Sequence, residues 1–305
     1  MLTPFVRAVD LLLSEGSKEL VAGMQRYLRR MFSGPYKKYA QKRHGRNAIF
    51  NINGSHISID TEAAGIDEQL LLDRTKERDS TLRLQKLLSE QKGIYRNIIF
   101  LDIGANIGYY TLLACSVLRG HGRIYAFEPD KTNYGRLCSN LELNKYRSEC
   151  NVETRNVAVG NRNRTATLNI KATGNSHMLS STDHNDRETV EQIKITVESI
   201  ANILSEINFG EEDLLVLKVD VEGAESEIIP ELKSVIDTPQ PIAVMCELHP
   251  DRLSSSEQKE IISVLRSLSL DFVSLNGGSN EDKGVKWSDL ETIESNTQVL
   301  AIRIS

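Results

Sequence analysis

Residues 98–108, IIFLDIGANIG, constrain this chain more than any other stretch. A short run that is apolar on both faces stops at a glycine-rich turn, and helical apolar spacing resumes over 107–118. Such runs belong in central parallel strands covered by helices on both sides. The alternation continues. Strand 122–127 leads to helix 131–144 and a third strand at 152–159, and strand 214–220 leads to a helix at 224–229 that restarts at Pro230 and runs to 236. Strand 242–247, helix 257–268 and strands 271–275 and 299–304 follow, while 165–171 and 193–197 read as extra strands around a polar loop at 175–187. This pattern predicts a doubly wound α/β sheet.

The segment before it reads differently. Apolar residues at helical spacing over 2–32, interrupted at Gly16-Ser17, predict two amphipathic helices. Residues 33–47 read as a polar basic linker, and 48–59 as a hairpin turning at Asn53-Gly54. A charged helical stretch over 67–92 has Leu70, Leu71, Leu82, Leu84, Leu87 and Leu88 as its buried stripe. The expected organisation is an N-terminal helical, basic extension with a small hairpin at 1–92 and the α/β domain at 93–305.

Charge separates the two parts. Residues 1–50 hold ten Lys/Arg against three Asp/Glu, whereas the chain as a whole carries −5. The basic segment is expected either to present a solvated face or to meet an anionic partner, such as a membrane surface. No apolar run approaches the length needed to span a bilayer. Arg7 and Asp10 interrupt the first apolar stretch, so no export signal is expected and a cytoplasmic location follows, with peripheral contact at the inner face of the membrane through the N-terminus. The four cysteines form no C-x-x-C pair and are expected to be reduced, three of them as core residues.

In open α/β sheets, ligands bind beyond the carboxyl ends of the strands. The first strand ends in Asp102-x-Gly104-x-Asn106-x-Gly108, and the next ends at Glu128, placed to accept hydrogen bonds from ribose hydroxyls. The glycine spacing is not the Gly-x-Gly-x-x-Gly that cradles a pyrophosphate, and Asp102 would repel phosphate. S-adenosylmethionine carries no phosphate. Its ammonium group suits Asp102, and its carboxylate suits a helix N-terminus. A later strand ends in Lys218-Val219-Asp220-Val221-Glu222-Gly223-Ala224-Glu225, where Lys218, Asp220 and Glu222 alternate onto one face. One acid is expected to cap the following helix and the others to face the crevice. Glu247 and His249 close the next strand.

Together these motifs resemble the FkbM family of methyltransferases, over roughly residues 98–275. FLDIGANIGYYT is similar to the family's cofactor loop, FEPD to its ribose-binding acid, NVAVG at 156–160 to the segment that packs against adenine, and LKVDVEGAESEII with MCELHP to its later strand ends. Pro230 departs from the pattern, since relatives continue the helix there. The resemblance implies a class I methyltransferase (Rossmann-like) sheet with six parallel strands and one antiparallel. It also implies S-adenosylmethionine as cofactor, held by Asp102, Gly104, Asn106, Gly108, Glu128, Asn156 and Val157. Methyl transfer to a hydroxyl is expected, on a sugar or lipid-linked glycan.

An alcohol must lose its proton during attack, so a positioned base is needed. Asp220 leads, followed by Glu222, Glu225, Glu247 and His249. No metal is required, although Asp220, Glu222 and Glu247 are of the type that binds magnesium. The polar loop at 175–187 is expected to recognise a polyhydroxylated acceptor. The alternatives are a nucleic-acid 2′-hydroxyl methyltransferase, disfavoured by the acidic α/β part, and a non-catalytic binding protein that keeps the fold. No nucleic-acid partner is expected, and a homodimer is compatible with the apolar N-terminal spacing.

Overall fold

The central strands are buried along their whole length, which is why they read so plainly. In the computed structural model, β3 (Ile98–Ile103) and β10 (Leu214–Val219) are buried at every position. The structure describes residues 17–144, 150–171, 177–180, 189–233, 239–250, 252–267, 271–274 and 297–304. The chain divides into two compact units. One runs to Ile52 and includes His56–Lys76; the other comprises Asn53–Ser55 and everything from Glu77 onward.

In the first unit, α1 (Ser17–Met31) and α2 (Ser33–His44) precede the hairpin of β1 (Asn47–Ile52) and β2 (Ser55–Asp60), and α3 (Ile66–Asp73) follows. The expected linker at 33–47 is therefore mostly helix. Pro35 lies in the first turn, where its missing N–H costs no intrahelical bond, and the Lys, Gln, Ala and Arg that follow are good helix formers. Gly45, with φ +82°, ends it. The predicted helix before Gly16 lies outside the described residues.

The larger unit begins with α4 (Arg78–Gln91), so the helical stretch at 67–92 is two helices, broken where Arg74 and Glu77 take left-handed φ values of 62° and 41°. Leu82, expected in the stripe, is 47% exposed, while Leu84 and Leu88 are fully buried. The unit continues with α5 (Tyr109–Leu118), β4 (Gly122–Phe127), α6 (Lys131–Glu142), β5 (Asn151–Arg155), β6 (Ala158–Gly160), β7 (Arg164–Lys171), β8 (His177–Ser180), β9 (Thr189–Ser199) and α7 (Ile200–Glu206). After β10 come α8 (Glu225–Ile228), a 3-10 turn at Pro230–Leu232, β11 (Ile242–Leu248), α9 (Ser255–Ser267), β12 (Asp271–Ser274) and β13 (Thr297–Arg303).

Among the described residues the main sheet has seven strands in the order β12-β13-β11-β10-β3-β4-β5. Only β13 runs antiparallel to its neighbours, so six parallel strands and one antiparallel strand are present. On one face, Ile99, Leu101 and Ile103 of β3 join Leu215, Leu217 and Val219 of β10 in a core closed by Ile203 of α7, Ile228 of α8 and Ile261 of α9. A second, four-stranded sheet runs β6-β9-β7-β8.

Several expectations change in detail. The strand predicted at 152–159 splits into β5 and β6, which join different sheets. Between them the Asn156 side chain donates to the carbonyls of Glu128 and Pro129, drawing the chain off the first sheet. The loop at 175–187 contains β8, paired with β7; residues 175–176 and 181–187 lie outside the described residues. Helix α7 lies in a stretch where no element is expected. Pro230 opens a 3-10 turn, Pro230–Leu232, that passes into helix at Lys233, and residues 234–236 of the predicted helix lie outside the described residues. Cys115 and Cys246 are buried, whereas Cys138 and Cys150 are only half-buried, and all four are free.

Candidate active site at the strand ends

The loop after β3 turns through Gly104 (φ +83°), Asn106 (φ +52°) and Gly108 (φ +91°). Gly104 is obligatory: a Cβ there would lie 2.0 Å from the backbone oxygen of Asp220. The loop is tied to both neighbouring strands. The N–H groups of Gly104 and Ala105 donate to the Phe127 carbonyl at 3.0 and 2.9 Å, and the Asp220 N–H donates to the Ile103 carbonyl at 3.1 Å.

Glu128 closes one side of this loop. Its Oε2 accepts the Asn106 N–H at 2.7 Å and its Oε1 the Asp130 N–H at 2.9 Å. Burial pushes its carboxyl up to about 8, against the lowering effect of these donors. Asn156, through its bonds to the Glu128 and Pro129 carbonyls, holds the same turn, and Val157 packs half-buried against the core. Asp102 is expected to meet an ammonium group. The structure buries it completely, with Oδ2 accepting the Thr111 hydroxyl at 2.6 Å, so its carboxylate ties β3 to α5.

The opposite side is acidic. Lys218 and Asp220 lie on one face at the end of β10, and Lys218 Nζ donates to Asp220 Oδ2 at 2.7 Å. The same ammonium sits 4.7 Å from the Tyr110 ring centroid. Tyr110 in turn donates its hydroxyl to Glu77 Oε2 at 2.7 Å. Carboxylate oxygens of Glu77, Asp220 and Glu247 all lie within 4.8 Å of one another, and so do ligand-type atoms of Asp220, Glu222 and His249. These are donor sets of the kind that hold a divalent cation, but Lys218 already pairs with Asp220, and Arg252 with Glu222.

The expected helix cap is not made. Ala224 occupies the N-cap of α8 without a side-chain cap bond. Glu222, at φ +56°, pairs with Arg252, which also donates to the Glu222 carbonyl at 3.2 Å. Burial raises the Glu222 carboxyl, with Arg252 and His249 opposing.

His249 is held from behind. Its Nδ1 lies 2.7 Å from Oε1 of the fully buried Glu225, and its Nε2 lies 3.7 Å from both Glu222 Oε2 and Glu247 Oε1. Burial disfavours its charge, yet the bond to Glu225 and the fields of three carboxylates outweigh burial and push it up to about 9. The other oxygen of Glu225, Oε2, is buried without a hydrogen-bond partner among the described residues.

The structure thus brings Asp220, Glu222, Glu225, Glu247 and His249 to one edge of the sheet. It adds Glu77, Tyr110 and Arg252, which sequence reasoning missed. Tyr110 is within reach of such reasoning, because it lies in the first turn of the helix after the glycine loop. Glu77 sits in a run of charges, Lys76-Glu77-Arg78-Asp79, that gives no local hint of its destination.

Residues 102–272 match the family model described as the methyltransferase FkbM domain. Among solved structures, the chain is similar to methyltransferase FkbM from Methylobacillus flagellatus KT, at 14% identity over 77% of this chain and 52% of that one, TM-score 0.40. It spans about half the length of that protein. It is also similar to precorrin-6y C5,15-methyltransferase from Geobacter metallireducens GS-15, at 13% identity over 73% and 88% of the two chains, TM-score 0.38. A third is M. jannaschii TYW2 in complex with AdoMet, at 11% identity over 84% and 85%, TM-score 0.39. No curated protein matches the sequence.

Proposed function

The chain belongs to the FkbM-domain methyltransferases, and from that premise we propose that it methylates a hydroxyl oxygen, on a sugar of a glycan or glycolipid. S-adenosylmethionine is its methyl donor. The residues at the strand ends fit that molecule. A buried carboxyl group, Glu128, stands beside a loop whose glycines allow close backbone approach, and α5 begins directly after that loop with no side-chain cap, which leaves first-turn N–H groups for an anion. In this reading Glu128 holds the ribose hydroxyls. The Gly104–Gly108 loop and the N-terminus of α5 hold the amino-acid end, with Asp102 bracing the loop from below.

When bound, the donor supplies an electrophilic methyl group. The protein must align an acceptor oxygen with it and take the hydroxyl proton. The observation that carries the hydroxyl assignment is the convergence of Glu77, Asp220, Glu222 and Glu247 beyond the strand ends. Carboxylates accept hydrogen bonds from neutral hydroxyls, and they repel phosphates. Lys218 donates to one oxygen of Asp220, and in this reading the other oxygen of Asp220 accepts the proton as the acceptor oxygen attacks. His249, held charged by Glu225 near neutral pH, donates to acceptor oxygens rather than acting as a base. Glu222 and Glu247 orient further hydroxyls.

The reading is tested by mass spectrometry of surface glycans and glycolipids from cells with and without the gene. Loss of one methylene increment from a sugar fragment supports it. Unchanged glycans, together with methylation of RNA by the purified enzyme, would replace it with the nucleic-acid alternative.

A further inference from the structure

Helix α1 presents its amphipathic pattern inside out. Met24, Tyr27, Leu28, Met31 and the adjoining Phe32 recur at i, i+3, i+4, i+7 and i+8, a single helical stripe of the kind that normally faces a core. Here each is 48–62% exposed. The helix meets α3 through its polar side instead. Arg29 Nε donates to the Leu72 carbonyl at 2.6 Å, and Arg30 Nε to Asp73 Oδ1 at 2.8 Å.

Helix α2 adds positive charge. Lys38, Lys42 and Arg43 are exposed and make no ion pair among the described residues. From residue 17 to 46 there are nine Lys/Arg and one acid, Glu19, in a chain whose net charge is −5. Exposed Tyr39 lies among these cations.

The surface asks for an occupant that is both apolar and anionic. A nucleic acid would satisfy the cations but leave the methionines and leucine uncovered. A second copy would cover the stripe but bring two dense sets of cations together. A bilayer rich in anionic lipid satisfies both, with the apolar stripe among the acyl chains and the cations at the headgroups. We propose that α1 and α2 form a docking surface for an anionic membrane, with α1 lying in the plane of the interface. The inference is independent of which hydroxyl is methylated.

The test is flotation of the full-length protein with vesicles of phosphatidylcholine alone or of phosphatidylcholine with phosphatidylglycerol. Binding is expected only to the anionic vesicles, and weaker at high salt. The triple variant Lys38→Gln, Lys42→Gln, Arg43→Gln should lower partitioning roughly a hundredfold, as three interfacial cations imply. The double variant Leu28→Glu, Met31→Glu should lose binding while melting at the wild-type temperature, because both side chains are already exposed. Absence of binding to anionic vesicles, or wild-type binding by the glutamate variant, would overturn the proposal. So would a wild-type dimer in lipid-free solution that the glutamate variant dissociates, which would assign the stripe to a second copy.

Discussion

Glu225 and His249, one opening α8 and the other following β11, share a 2.7 Å contact between Oε1 and Nδ1, with the glutamate wholly buried. A buried acid behind an imidazole fixes the ring's orientation and directs Nε2 forward, here between Glu222 and Glu247.

This pair makes stability depend on pH. His249 rises from an ordinary 6.5 to about 9, so the folded state holds the proton more tightly than the unfolded one. Its stabilisation is complete below about 6.5 and disappears as pH rises through about 9. Glu128, raised to about 8, acts in the same direction, because its ionisation also opposes folding. The melting temperature of the cofactor-free protein should therefore fall from about pH 4.5 to 9, with Glu128 contributing between about 4.5 and 8 and His249 between about 6.5 and 9. His249→Gln should flatten the upper part of that fall, whereas parallel melting profiles for wild type and variant would contradict the assignment.

Gly104→Ala should be among the most damaging single changes. The new Cβ meets a backbone carbonyl at 2.0 Å, not a side chain that can move, and φ is +83°. Destabilisation of about 3 kcal/mol or more is expected, combining backbone strain with a steric clash. Denaturant unfolding of the purified variant measures it, and a near-normal midpoint would mean that the β3 and β10 loops can part.

The sheet and this loop were legible because both obey local rules. Strands such as 98–103 and 214–219 are uniformly apolar, and Gly104 and Gly108 stand where a tight turn needs them. What escaped was decided at long range. Asp102 reads as a ligand because it ends a strand, and what no local rule shows is that Thr111, in the first turn of α5, donates to its Oδ2. Residues 33–47 read as a linker because they are polar and basic, yet such residues are good helix formers and Gly34-Pro35 is tolerated at the helix start. Glu77 reaches the site only through the left-handed break between two helices, which no periodicity reports.

Glu128→Gln separates ribose binding from loop support. The two carboxylate oxygens accept two backbone N–H groups, so an amide must turn its NH₂ toward one of these donors. Affinity for S-adenosylmethionine by calorimetry should weaken by roughly 1–3 kcal/mol, with a smaller loss of thermal stability. Unchanged affinity would remove Glu128 from the cofactor site.

Asp220→Asn tests the proton acceptor. The amide keeps the shape and one acceptor for Lys218 but cannot take a proton. Cofactor affinity should persist, while turnover falls by about 10²–10⁴-fold, the usual range for a general base. Near-normal turnover would pass the role to a neighbouring acid, with Glu247 first because its oxygens lie in the same cluster.

The last prediction concerns Glu77, which precedes the family-matched segment at 102–272 yet bonds to Tyr110 within it. Tyr110 lies beneath Lys218, and Lys218 holds Asp220, so a line of contacts runs from α4 to the end of β10. Tyr110→Phe keeps the ring that the ammonium faces and removes only the hydroxyl that reaches Glu77. Glu77→Gln keeps an acceptor for that hydroxyl and removes the charge. If Glu77 acts by steering Tyr110, the two variants should differ: Tyr110→Phe should lower turnover more than Glu77→Gln. If its charge shapes the acceptor site directly, Glu77→Gln should raise the acceptor KM and Tyr110→Phe should leave it near normal. In either case S-adenosylmethionine affinity should hold, since both substitutions leave the backbone N–H groups of the loop and of α5 in place. Steady-state kinetics with acceptor varied at saturating cofactor distinguish the two, and wild-type constants for both variants would place Glu77 outside the reaction.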